Sequence, residues 1–138
     1  MFAIEINAHF SAAHAITMAG TVEPLHGHDW HITAVIEGPD LDSDGLLVDF
    51  HWLQAQLAAI LAPFQNQNLN GVEPFLFGVN PTAELVARHI GHSLSGRLAT
   101  WSQNQPKDQR SGAPRPLRIA RVRVTEAVGC AATYVPDR

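Results

Sequence analysis

With 138 residues, 46% of them apolar and 16% charged, the chain has the size and composition of one domain built on one hydrophobic core. A formal net charge of −4 argues against a nucleic-acid partner, and the single cysteine, Cys130, excludes an intramolecular disulfide and a thiolate zinc cluster, leaving a reducing cytoplasm as the expected setting. No run approaches the roughly eighteen consecutive apolar residues of a membrane span, and the N-terminus lacks the basic region of a signal peptide, so neither is expected.

From Phe2 to Phe10 the even positions are apolar and Glu5, Asn7 and His9 alternate with them, the period-two pattern of a half-buried strand. Ser11 to Leu25, with Gly20 and Pro24, reads as a long connection. Alternation resumes from His26 to Ile36 and stops at Gly38-Pro39, which predicts a second strand antiparallel to the first. Asp49 is a good cap for an amphipathic helix carrying Leu53, Leu57, Ile60 and Leu61, ending near Pro63. Asn80-Pro81 offers a second helix start, with Leu85, Val86, Ile90, Leu94 and Leu98 as its buried stripe. Residues 102–116, polar and rich in proline, read as a flexible surface loop. Leu117 to Glu126 alternates again, and Ala131 to Val135 predicts a short last strand. The order ββααββ implies an α+β sandwich over residues 1–138: a four-stranded antiparallel sheet with both helices on one face.

Eight histidines nearly equal the nine lysines and arginines together, and five of them precede residue 32. His26 and His28, at i and i+2 of a strand, project from one face with Cα atoms about 7 Å apart. His14, just past the end of the first strand, reaches that pair across the sheet. Three neutral imidazoles with no cysteine or carboxylate nearby match an open zinc site whose fourth position takes water or substrate. Three half-buried histidines satisfied by backbone groups are the alternative reading. His9, His31, His51, His89 and His92 read as ordinary. Glu126 puts a carboxylate on an apolar strand face, where it needs a donor. A ligand with two adjacent N–H groups, such as the amidine-like edge of a pterin or guanine, would supply one; a strand end that has already reached solvent at Val128-Gly129 is the alternative.

Phe10-Ser11-Ala12-Ala13-His14, His26-Gly27-His28, Val48-Asp49-Phe50, Leu69-Asn70, Asn80-Pro81-Thr82-Ala83-Glu84 and Thr125-Glu126 with Tyr134 resemble, in order and spacing, the 6-pyruvoyl-tetrahydropterin synthase family. The resemblance spans nearly the whole chain. It implies the tunnelling fold (T-fold), homo-oligomers in which trimers close a barrel and pair into hexamers, and active sites at subunit interfaces. It also implies Zn2+ on His14, His26 and His28, a pterin substrate held by Glu126, and a contribution from Thr82 of a neighbouring subunit.

Two departures bear on function. The family's catalytic cysteine stands four residues before the first histidine of His-Gly-His, a position held here by Val22, while Glu23-Pro24-Leu25-His26-Gly27-His28 resembles a subgroup in which glutamate replaces that cysteine. That subgroup cleaves the side chain of 7,8-dihydroneopterin triphosphate to 6-hydroxymethyl-dihydropterin, and Glu23 is the implied catalytic base. Where the family carries an Asp-His pair before Leu-Asn, this chain has Gln65-Asn66, which orient hydroxyls but accept no proton at neutral pH. Only Lys107 is available as a lysine, so arginines would have to clamp a triphosphate. The expectation is a zinc-dependent pterin lyase; the alternative is a repurposed, non-catalytic T-fold protein that keeps zinc and pterin or purine-like recognition.

Overall fold

A computed structural model describes residues 1–137. Strand β1 (Phe2–His14) pairs antiparallel with β4 (His26–Gly38) in unbroken register from Phe2 opposite Gly38 to His14 opposite His26. The first strand therefore continues past Phe10: Ala12 and His14 extend the buried even face, and the small Ala12 and Ala13 had muted the contrast between faces. The connection that follows is not structureless. Thr17–Met18 (β2) and Thr21–Val22 (β3) form a small hairpin whose two turn residues, Ala19 and Gly20, take φ of 48° and 81°, the left-handed pair that a tight hairpin turn demands.

Helix α1 (Phe50–Leu61) starts at Asp49, whose carboxylate accepts the His51 N–H at 2.8 Å. Helix α2 (Ala83–Gln103) starts at Thr82, whose hydroxyl accepts the Leu85 N–H, so Thr82 and not Asn80 is the cap. Asn80 instead uses its amide to bridge the N–H and C=O of Thr17, both at 2.9 Å, pinning the β2–β3 hairpin. Helix α2 also overruns the expected loop start, ending at Gln103. No helix among the described residues is long and apolar enough to cross a membrane.

Strand β5 (Gln67–Asn68) pairs parallel with β1 at Ala12 and Ala13, while β6 (Arg118–Ala127) and β7 (Cys130–Tyr134) continue the sheet antiparallel beyond β4. The sheet is thus five-stranded in the order β5-β1-β4-β6-β7 rather than four-stranded. Both helices cover one face, burying Leu53, Leu57, Ile90 and Leu94 against Phe10, Trp30, Ile32 and Val124. The other face is polar, with Asn7, His9, His31 and Arg123 in solvent. The core therefore lies on the even face of β1, and His14 is the last residue of that face, wholly buried at 0% exposure.

Candidate metal centre

The register of β1 and β4 makes His14 and His26 direct cross-strand neighbours, and His28 lies diagonally opposite on the same face. Their rings pack edge to face with centroids 4.8 Å (His14 to His26), 5.1 Å (His14 to His28) and 4.6 Å (His26 to His28) apart. Trp30 supports them from below, its ring 4.9 Å from His14 and its indole N–H donating to the Ala12 carbonyl at 3.2 Å.

Glu126 joins this group from β6, where it continues the buried row of Val122 and Val124, which pair with Ala34 and Ile32. Thr125 faces Ala131 and Ala127 faces Cys130, so Glu126 is also the extra residue of a β-bulge between β6 and β7. Its carboxylate approaches His14 Nε2 at 2.8 Å and His28 Nε2 at 3.0 Å. One donor atom from each of His14, His26, His28 and Glu126 lies within 4.8 Å of all the others.

Hydrogen bonding fixes two of the three imidazoles as metal ligands would need them. Pro81 O lies 2.8 Å from His14 Nδ1 and Pro24 O lies 2.8 Å from His26 Nδ1. A carbonyl only accepts, so both Nδ1 atoms carry a hydrogen, and each ring in the neutral form that a metal binds presents a bare Nε2 lone pair. His14 Nε2 and His28 Nε2 are buried and have no hydrogen-bond partner, despite the nearby carboxylate. Burial, partly opposed by the Glu126 charge, holds the His28 pKa below its ordinary value, and the other two imidazoles push the same way as burial. Lone pairs facing a carboxylate repel unless a cation lies between them, so the donor set fits a divalent metal ion of the nitrogen-preferring kind, zinc included.

Glu23 lies beside this cluster. Its Oε1 accepts the Ile16 N–H at 3.1 Å and sits 3.6 Å from His26 Nε2, so the residue singled out as base is within reach of the site. Thr82 contributes differently: its hydroxyl is committed to the α2 cap, and it adjoins Pro81, whose carbonyl holds His14. Asn66 lines an open groove of about 600 Å³ beside β1, and its N–H donates to Ser11 O, while the neighbouring Gln65 Oε1 accepts the Ser11 N–H. The carbonyls of Pro24 and Pro81 were not foreseeable as site groups, since a backbone acceptor leaves no residue-type signature. Asn70, of the Leu69-Asn70 motif, clamps both N–H and C=O of Ala15 with its amide at 2.8 Å and so fixes the chain just past His14.

Comparison with known proteins agrees with this architecture. The chain is 31% identical over 110 residues to 6-carboxy-5,6,7,8-tetrahydropterin synthase of Bacillus subtilis, covering 76% of this chain and 73% of that protein. It is 31% identical over 107 residues to dihydroneopterin monophosphate aldolase of Pyrococcus furiosus, covering 71% of this chain and 87% of that one. The fold superposes on 6-pyruvoyl tetrahydropterin synthase of Caenorhabditis elegans with a TM-score of 0.75 at 17% identity, over 99% of this chain and 96% of that chain. Residues 3–137 match the sequence profile of 6-pyruvoyl tetrahydropterin synthase, and the chain, with its T-fold and its convergent histidines, belongs to that family of pterin side-chain enzymes.

Proposed function

We propose that the protein is a zinc-dependent lyase that cleaves the side chain of a dihydropterin such as 7,8-dihydroneopterin triphosphate, releasing 6-hydroxymethyl-dihydropterin. The observation that carries this reading is the pair of Nδ1–H donations to Pro24 O and Pro81 O, which turns bare Nε2 atoms of His14 and His26 toward one point shared with His28. Zinc held there supplies Lewis-acid stabilisation of negative charge developing on side-chain oxygens. Glu126 binds the amidine-like edge of the pterin with its two carboxylate oxygens. Glu23, braced by the Ile16 N–H and next to His26, accepts the side-chain proton and returns it. The name of the Pyrococcus relative, an aldolase acting on dihydroneopterin monophosphate, supports carbon–carbon cleavage and makes the monophosphate a second substrate to test. The working unit is a homo-oligomer, trimer or hexamer, in the cytoplasm, with Thr82 of a neighbouring subunit near the substrate.

The test is to incubate zinc-loaded protein with the triphosphate and with the monophosphate of dihydroneopterin and identify products by mass. The expected product is 6-hydroxymethyl-dihydropterin, and Glu23→Gln is expected to retain zinc and lose turnover by about 10²-fold or more. A Glu23→Gln protein with full turnover removes Glu23 from the mechanism. A specific observation favours a second reading, a repurposed protein that binds zinc and a pterin without turning it over: Gln65 and Asn66 hold the backbone of Ser11 and carry no titratable group. Unchanged substrate together with tight pterin binding identifies that case.

A further inference from the structure

We propose that Glu126 is itself a metal ligand in the resting protein and that an incoming pterin draws it away, so that ring binding opens a donor position on the metal. This rests on the metal and pterin reading above and concerns how one residue divides its time between the two.

Glu126 Oε1 is 2.8 Å from His14 Nε2, yet the two make no hydrogen bond, and the ring's other nitrogen is already engaged with Pro81 O. The same oxygen is 3.0 Å from His28 Nε2, also without a hydrogen bond. Ligands of one tetrahedral ion with bonds of about 2.0–2.1 Å stand roughly 3.3 Å apart, so donor atoms gathered this closely, out of hydrogen-bonding direction, lie within reach of a single cation. The row of even residues in β6 supports the assignment: Val122 and Val124 pair with Ala34 and Ile32 on the buried face, and Glu126, next in that row, reaches the end of the sheet where His14 and His28 lie.

The same carboxylate suits a pterin ring. An edge with two parallel N–H donors engages both carboxylate oxygens in the plane of the carboxyl group. Oε1 cannot lie in that pair and also on the metal with equal strength, so ring and metal compete for one atom. The Glu126 side chain is 24% exposed while His14 is at 0%, so the glutamate has the freedom to move and the imidazole does not. A metal ligated by three imidazoles and a carboxylate has no vacancy for stray ligands; with the ring seated, the vacancy appears where the substrate side chain lies.

Cobalt reports this without catalysis. Metal-free protein, prepared with a chelator, is titrated with Co2+ and its visible absorption recorded, for wild type and Glu126→Gln, before and after adding pterin itself, 2-amino-4-oxopteridine, which has no side chain to reach the metal. The expected result is a spectrum in Glu126→Gln that differs from wild type, Co2+ affinity lower by roughly tenfold or more, and a pterin-induced shift of the wild-type spectrum toward that of the variant, with the variant unmoved. Equal spectra and equal affinities in the two proteins overturn the proposal and leave the three-imidazole site standing. A weakened variant with no pterin effect on wild type overturns the exchange. Failure of wild type to take up Co2+, or uptake unaffected by His14→Ala, overturns the metal reading too. If circular dichroism finds Glu126→Gln unfolded, Glu126→Asp, whose shorter arm withdraws the carboxylate, replaces it in the same comparison.

Discussion

Two glycines of α2 make opposite demands on a β-carbon. At Gly91 a Cβ would meet the Tyr134 ring at 2.7 and 3.0 Å, and that ring is held by its hydroxyl, 2.8 Å from His92 Nε2. At Gly96 a Cβ would meet nothing within 4 Å. Gly91→Ala is therefore expected to destabilise by about 1–3 kcal/mol through overpacking, and Gly96→Ala to stabilise by about 0.5–1 kcal/mol through helix propensity; urea midpoints of opposite shift check both. His89, packed on Phe64 and Phe75, has its pKa lowered by burial first and by His92 second. A folded-state pKa below the unfolded one means that the unfolded chain binds the proton more readily, so this contribution is intact above the ordinary histidine range and is lost as pH falls through it. His89→Gln is expected to flatten the decline of unfolding free energy between about pH 7 and pH 5. At this scale the sequence was most readable where side-chain type and alternation coincide: His14, His26 and His28 share the even face. It was least readable where a residue has two equivalent uses, as with Asn80, an able helix cap that the fold spends on Thr17.

Among the elements, the loop after α2 is tied to the segment before α1 by the Arg115 guanidinium and to α2 by the Ser102 hydroxyl, which donates to Arg115 O. Arg115 donates to the carbonyls of Asp40 and Leu46 at 3.2 and 3.4 Å and, through Nη2, to Leu47 at 2.9 Å. Arg115→Ala is expected to lower stability by about 1–2 kcal/mol and to speed tryptic cleavage after Lys107 and Arg110, read by mass of the fragments. The long strands and both helices were legible because their apolar spacing is regular over many residues. Strand β5 and the β2–β3 hairpin were not, because two paired residues are too few to show a period. Glu126 was legible as an anomaly, a carboxylate on an apolar face, but the groups that meet it there, His14 and His28, stand on other strands and leave no signature in β6 alone.

At the scale of the molecule, the sheet ends on β7 at one side and on β1 at the other, where β5 covers only Ala12 and Ala13. Uncovered edges and a bare polar face are surfaces that another copy can satisfy by strand pairing. Light scattering is expected to give a trimeric or hexameric multiple of the 15.0 kDa chain; a monomer would remove any part for a neighbour's Thr82. The register of β1 with β4 has a kinetic side. The three imidazoles come from one antiparallel pair of strands that are neighbours along the chain but for the small β2–β3 hairpin, so they meet as soon as those two strands do, while Glu126 must wait for β6 and the far end of the chain. On the metal reading, an ion present from the first moment of refolding rewards the pairing of β1 with β4 before the rest of the sheet is added, and where that pairing belongs to the folding nucleus it lowers the barrier. Stopped-flow refolding with Zn2+ in the starting buffer is expected to be faster than refolding with Zn2+ added afterwards, and His28→Ala, which breaks the trio while sparing the strands, is expected to abolish the difference.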